Sequence, residues 1–199
     1  MENIEAPMDI EIVNPNNKSL TKHSGIVLRE DTIKYWDKEY INEVIEKIHD
    51  HKDRMLIFTL WRTGLRITEV LSITKQDIDF NKMMMKVKHL KSRRYLYRIV
   101  PIHPQLKDLL RVYTATMNLE TRVFPITRQR ADQIIKEYFG KEGYCHRLRH
   151  SFAVNWLRGG GDVVTLHRIL GHARVQTTME YLKIVPMDQG KELLKIDFG

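Results

Sequence analysis

Met83-Met-Met-Lys-Val-Lys-His-Leu90 and, after a short gap, Tyr95-Leu-Tyr-Arg-Ile-Val-Pro101 are the stretch of this 199-residue chain whose reading decides its fold. Both runs are β-prone, the connection between them is polar and cationic, and Pro101 removes a backbone donor where a strand would stop. They read as an antiparallel β-hairpin. Around the hairpin the periods are helical. Upstream, Ile41, Val44, Ile45 and Ile48 recur at i, i+3, i+4, i+7 behind Asp37 as N-cap. A second helix covers about 52 to 62 and stops at Gly64, and a third begins near Leu65 with Ile67, Val70 and Leu71 as its buried stripe. Downstream, helices are expected at about 104–116, 128–139, 147–158, 162–170 and 177–183. Gly159-Gly160-Gly161 ends the helix that holds Phe152 and Trp156, and Gly171 ends the next one. Thr177-Thr-Met-Glu180 reads as a capping box, which puts Tyr181 in the first turn of the last helix. The expected fold class is mainly α with a small antiparallel β-sheet.

The hairpin also carries the excess charge. The chain has 33 Lys and Arg against 25 Asp and Glu, a formal net charge of +8. Between Phe80 and Lys107 stand Lys82, Lys86, Lys88, Lys91, Arg93, Arg94, Arg98 and Lys107 with no acid among them, and the remainder is balanced. Cations gathered in one acid-free segment fit a polyanionic partner. A single cysteine, Cys145, excludes an internal disulfide and points to a reducing compartment. The acidic, polar N-terminus lacks the apolar stretch of a signal peptide, and the most apolar run, Met55 to Trp61, is too short to cross a bilayer. A soluble, cytoplasmic protein without membrane contact is therefore expected. Residues 1–30, with Pro7, Pro15, Asn14, Asn16 and Asn17 and no apolar period, read as an arm or linker. Residues 31–183 form the folded domain, and 184–199 a C-terminal tail whose Leu193, Leu194, Ile196 and Phe198 need a surface to cover them.

Four segments carry chemistry: Arg62-Thr-Gly-Leu-Arg66-Ile-Thr-Glu69, Lys88-His-Leu-Lys91, His146-Arg-Leu-Arg149-His150, and Gly171-His172 with Tyr181 nine residues after the histidine. Arg66 follows the break at Gly64, and Arg149 is expected in the first turn of a helix. There a guanidinium adds to the positive helix end and offers a planar fork to phosphate oxygens. A surface ion pair of Arg66 with Glu69 is the plain alternative. The H-x-x-x-H spacing of His146 and His150 invites zinc, but Arg147, Leu148 and Arg149 stand where a metalloprotease has its glutamate, so no metal is expected. Tyr181 has the phenol pKa of about 10 and attacks only with a base to take its proton and cations to favour the phenolate. The other segments supply both.

Taken together the segments resemble the tyrosine recombinase (phage integrase) family, from about Trp36 to Leu182. The motifs are T-G-L-R-x-x-E at Thr63 to Glu69, a lysine before R-x-V-P at Lys91 and Arg98 to Pro101, H-x-L-R-H-S-F-A at His146 to Ala153, and L-G-H with its distant tyrosine at Leu170 to Tyr181. The resemblance implies the tyrosine recombinase catalytic-domain fold, double-stranded DNA as partner, and a covalent 3′-phosphotyrosyl intermediate. Carried over by position, Arg66 and Arg149 clamp the scissile phosphate and Tyr181 attacks it, with His146 as its proton acceptor. His172 hydrogen-bonds the phosphate, Lys91 protonates the departing 5′-oxygen, and Glu69 orients its neighbours. The phosphotyrosyl bond conserves energy, so no cofactor is implied. The tail can pack back on its own domain, but the resemblance implies that it packs on a neighbouring protomer, giving a homo-tetramer when two DNA sites are synapsed.

The chain departs from the family pattern in two ways. The arm of about 30 residues is shorter than the helical domain that precedes most catalytic domains of the family, which suggests a short single-domain member or a catalytic fragment. The connection between Lys91 and Arg98 is longer than usual, which makes Lys88 an alternative general acid. Two other functions compete. A type IB topoisomerase uses the same cleavage on one strand but relies on a clamp that these segments do not supply. A non-catalytic DNA-binding regulator descended from a recombinase would have lost a catalytic residue, and all are present.

Overall fold

The computed structural model describes residues 33–88 and 97–185. The expected arm, the tip of the hairpin with Lys91, and the tail beyond Val185 lie outside the described residues. Among the described residues eight α-helices and three strands follow in order: α1 Lys38–Glu46, α2 His51–Thr63, α3 Ile67–Val70, β1 Ile78–Asp79, β2 Met84–Lys88, β3 Tyr97–Pro101, α4 Pro104–Tyr113, α5 Arg128–Phe139, α6 Cys145–Arg158, α7 Val163–Leu170 and α8 Val175–Met179. The expected mainly helical fold with a small antiparallel sheet is the one observed. The two hairpin strands pair antiparallel, Met85 opposite Val100 and Lys88 opposite Tyr97. Strand β1 adds at the far edge of β2, Ile78 opposite Met85. Two residues with no alternation of their own give no strand signal, so β1 is a product of tertiary pairing.

Local chemistry sets the helix ends. Asp50 caps α2 by accepting from the backbone N–H groups of Lys52 and Asp53, Asp162 caps α7 through Val164 and Thr165, and Thr127 caps α5 through Arg130. Helices α2 and α7 both close on a left-handed glycine, Gly64 at φ 61° and Gly171 at φ 62°. Each is also crowded. A Cβ on Gly64 would collide with the Phe152 ring, and one on Gly171 would meet the Arg98 guanidinium.

Helix α4 ends at Tyr113 rather than 116, and two further differences in helix boundaries bear on the site. Helix α6 begins at Cys145 rather than 147, because the Cys145 N–H donates to Asp132 Oδ1 of α5 and anchors the turn two residues earlier. Arg149 therefore lies in the second turn, not the first. The last helix begins at Val175 and ends at Met179, and Tyr181 falls in the 3-10 turn Glu180–Lys183 that follows. The reason is Thr178. It is buried and its hydroxyl meets His167 and His172, so the threonines of the supposed capping box lie inside a helix that starts at Val175.

One core fills the space between α1, α2, α4, α5, the inner face of the sheet and one side of α6, with Ile41, Leu56, Leu60, Val87, Leu106, Ile135 and Leu148 all buried. A second, smaller cluster covers the other side of α6 with Val154, Leu166, Leu170, Tyr181 and Val185. Helix α6 is thus buried on both sides, and the side chains between the two clusters form the site.

Candidate active site

Arg149 is the centre. Its side chain is 1% exposed, and an arginine so deeply buried needs partners for its donors. Nη1 donates to the Gly64 carbonyl and Nη2 to the Leu170 carbonyl, each at 2.8 Å. These carbonyls stand at the C-terminal ends of α2 and α7, where helix dipoles present negative charge. Two helix termini, rather than a carboxylate, hold this cation. Burial and then the neighbouring Arg66 push its pKa down to about 10, so it keeps its proton at neutral pH. Its Nε has no partner among the described residues.

Arg66 is the N-cap of α3 and remains about a third exposed. Its Nη1 lies 3.2 Å from Glu69 Oε1 and its backbone N–H donates to Glu69 Oε2 at 2.8 Å. The pairing weighed as an alternative in the sequence is present, yet Arg66 does not own that carboxylate. Glu69 is 3% exposed and accepts both Nη groups of Arg98, at 2.8 and 3.0 Å. Arg98 also donates from Nε to the Ile169 carbonyl at 3.1 Å. Burial works against ionisation of Glu69, but the hydrogen bonds and charge of Arg98 and Arg66 outweigh it and hold the carboxyl below its ordinary pKa. Arg98 therefore ties β3 to α3 and to the end of α7. In the sequence Arg98 reads as one hairpin cation and the first residue of R-x-V-P. Its place on the inward face of β3, in register with buried Val87, was the available signal.

Tyr181 is 2% exposed. Its hydroxyl meets His150 Nδ1 at 2.9 Å, and its ring lies nearly parallel to His172 with centroids 6.4 Å apart. His172 Nδ1 is engaged by Thr178 Oγ1 at 2.8 Å. His146 stands one ring further away, edge-on to His150 with centroids 4.5 Å apart. The family resemblance implies His146 as acceptor of the tyrosine proton; in the structure the hydroxyl contact belongs to His150. The i, i+4 spacing of the two histidines was legible, but which one the tyrosine meets depends on a turn outside the helix.

The electrostatics favour neutral imidazoles. Burial, then His146 and Arg149, brings His150 down to about 4, and burial, then Arg149 and Arg66, brings His172 down to about 3. His146 is lowered by burial and by Arg149, Arg66 and Arg128. Burial raises the Tyr181 phenol, and the positive charge of Arg149 and Arg66 offsets part of that. Beside this group a cavity of about 330 Å³ opens between α3, α5 and the start of α6, lined by Arg66, Thr68, Arg128, Tyr144 and His146 among others. Of the two candidate lysines, Lys88 ends β2 and is exposed, and Lys91 lies outside the described residues. Among the described residues no group of His, Cys, Asp or Glu side chains is arranged to hold a metal ion, and no helix is long and apolar enough to cross a membrane.

The family model described as phage integrase family matches residues 34–186, which takes in both cores and every described residue of the site. This chain belongs to the phage integrase family. Tyrosine recombinase XerA of Saccharolobus solfataricus is 33% identical over 171 residues, a match that covers 84% of this chain and 58% of that protein. The crystal structure of a XerA recombinase superposes with a TM-score of 0.67 at 24% identity, covering 83% of this chain and 63% of that one. The XerH site-specific recombinase bound to its difH substrate superposes with a TM-score of 0.64 at 20% identity, covering 83% and 54%. The fold is that of these integrase-family catalytic domains, and the chain spans under two thirds of each relative's length.

Proposed function

We propose that this chain is the catalytic part of a site-specific DNA recombinase, which cleaves and rejoins strands through a 3′-phosphotyrosyl intermediate. The observation that carries the reading is the buried Tyr181 hydroxyl, held 2.9 Å from an imidazole and close to the buried Arg149 guanidinium, whose Nε has no partner among the described residues. A buried packing tyrosine needs some hydrogen-bond partner, but it does not need a buried cation beside it. Arg66 and Arg149 neutralise the non-bridging oxygens of the scissile phosphate, the task that divalent cations perform in many phosphoryl-transfer sites. His172, its Nδ1 committed to Thr178, hydrogen-bonds the phosphate through its other nitrogen. Tyr181 attacks phosphorus in line, and Lys91, or Lys88 in its place, protonates the 5′-oxygen as it leaves. The acid-free hairpin segment holds the DNA backbone. The tail from Ile184 onward docks on a neighbouring protomer, so that a homo-tetramer forms on two synapsed sites.

The test is covalent trapping. The protein is incubated with fragmented genomic DNA from its own source in EDTA, denatured in SDS, and examined for DNA that migrates with it. The expected result is a denaturant-stable adduct that Tyr181→Phe abolishes while DNA binding persists. Binding without any adduct from the wild-type chain would leave a DNA-binding regulator.

A further inference from the structure

We infer that His150 is a catalytic residue of this site, the group that accepts the Tyr181 proton during attack. The inference rests on the reading of Tyr181 as nucleophile and adds the base. Three histidines stand near the phenol, and their geometry separates them. His172 covers the flat side of the Tyr181 ring, with its Nδ1 occupied by Thr178. His146 reaches the tyrosine through the intervening His150 ring. His150 Nδ1 alone of the ring nitrogens is in hydrogen-bond contact with the hydroxyl among the described residues, at 2.9 Å and inside the range in which a base removes a proton directly. With Nδ1 accepting from the phenol, the neutral ring carries its proton on Nε2.

In the free protein the proton stays on oxygen. Burial raises the phenol, and burial with His146 and Arg149 holds His150 at about 4, so the pair is a neutral nucleophile in store. A phosphodiester drawn between Arg66 and Arg149 changes both sides of that balance. Its negative charge offsets the Arg149 guanidinium that helps depress the imidazole, and the forming bond to phosphorus strips basicity from the phenol oxygen. Transfer then accompanies attack. The Tyr181 O–H bond breaks toward His150 Nδ1, the oxygen–phosphorus bond forms, the bond to the 5′-oxygen breaks, and that oxygen takes a proton from the hairpin lysine. His150 ends as imidazolium and returns its proton when the 5′-hydroxyl attacks the phosphotyrosine in the rejoining step.

The groups that face His150 are His146 and Arg149 from its own helix and Tyr181 from the 3-10 turn. The experiment measures adduct formation under saturating protein from pH 5.5 to 9.5, on a nicked duplex carrying a site recovered from covalently trapped DNA. The wild type is expected to be flat across most of this range, because its base is already unprotonated. His150→Gln and His150→Asn are made together, and whichever keeps the wild-type melting temperature and DNA affinity carries the reading. That variant is expected to lose about 10²-fold at pH 7, within the usual span for a lost base. Its rate should then climb about tenfold per pH unit, because solvent must take the phenol proton. His146→Gln is expected to keep the flat profile whatever its absolute rate. A flat profile in the His150 variant, or the rising one in His146→Gln, overturns the assignment. Absence of adduct from the wild type at every pH defeats the recombinase reading itself, a result distinguishable from either.

Discussion

Arg149 and Lys86 both bring positive charge to this molecule, and they are held in opposite ways. Arg149 is sealed in the interior on the carbonyls of two helix ends, while Lys86 stands exposed on β2 with its ammonium 4.0 Å from the centre of the Tyr97 ring. Around Arg149 every charge has a fixed partner: Glu69 takes both Nη groups of Arg98 and a share of Arg66, and Arg98 reaches the end of α7. On the outer face of the hairpin, Lys86 pairs across the strands with exposed Ile99 and Lys88 with exposed Tyr97, and no carboxylate fixes either lysine among the described residues. A fixed charge costs no reorganisation when a phosphate arrives, so it serves the transition state. A solvated charge adapts to a backbone of any sequence, so it serves affinity. On the proposed reading the interior serves rate and the hairpin face serves binding.

Breaking the interior should have the largest effect. Arg149→Lys offers one point charge where two carbonyls and a phosphate await a fork. Adduct formation is expected to fall by about 10³-fold or more, the upper end for a lost transition-state donor. The melting temperature should fall as well, since at least one buried carbonyl loses its donor at roughly 1–3 kcal/mol. A variant with wild-type adduct kinetics would show that the guanidinium is structural only.

Next in size is Lys91→Ala, which tests whether the hairpin contributes chemistry as well as charge. A loss of about 10²-fold is expected, and a substrate with sulfur in place of the 5′-bridging oxygen should restore the rate, because a thiolate leaves without a proton. If sulfur rescues Lys88→Ala and not Lys91→Ala, the general acid is Lys88. The smallest effect belongs to the solvated face. Lys86→Gln should shallow the dependence of log affinity on log salt by up to about 0.9, the value for one phosphate contact, and leave the rate on saturated DNA unchanged. A slower saturated rate would contradict the division between the two regions.

The same division explains what the sequence makes legible. The hairpin strands and the helix α5 follow from short-range patterns, and the structure has them at or near the expected residues, while Asp37 stands at the N-cap of α1 as expected but makes no side-chain cap hydrogen bond. Arg66, Arg149, His146, His172 and Tyr181 could be named because their motifs are specific, but their environment could not. The burial of Arg149 depends on carbonyls 85 and 21 residues away in the chain, and no local pattern announces such acceptors. Arg98 looked like another hairpin cation until Glu69 met it across 29 residues. Tyr181 was assigned to a helix because Thr177-Thr-Met-Glu180 fits a capping box, whereas Thr178 is turned inward to two histidines. That inward turn is what brings the phenol to His150.

The central claim is that Tyr181 is the nucleophile, and the most direct measurement identifies the residue that carries the DNA. Adduct from the wild-type chain is digested with nuclease and protease, and the peptide bearing the residual nucleotide is sequenced by mass spectrometry. The account predicts a 3′-linked nucleotide on the peptide containing Tyr181. A nucleotide on Tyr144 or Tyr138 instead would contradict it.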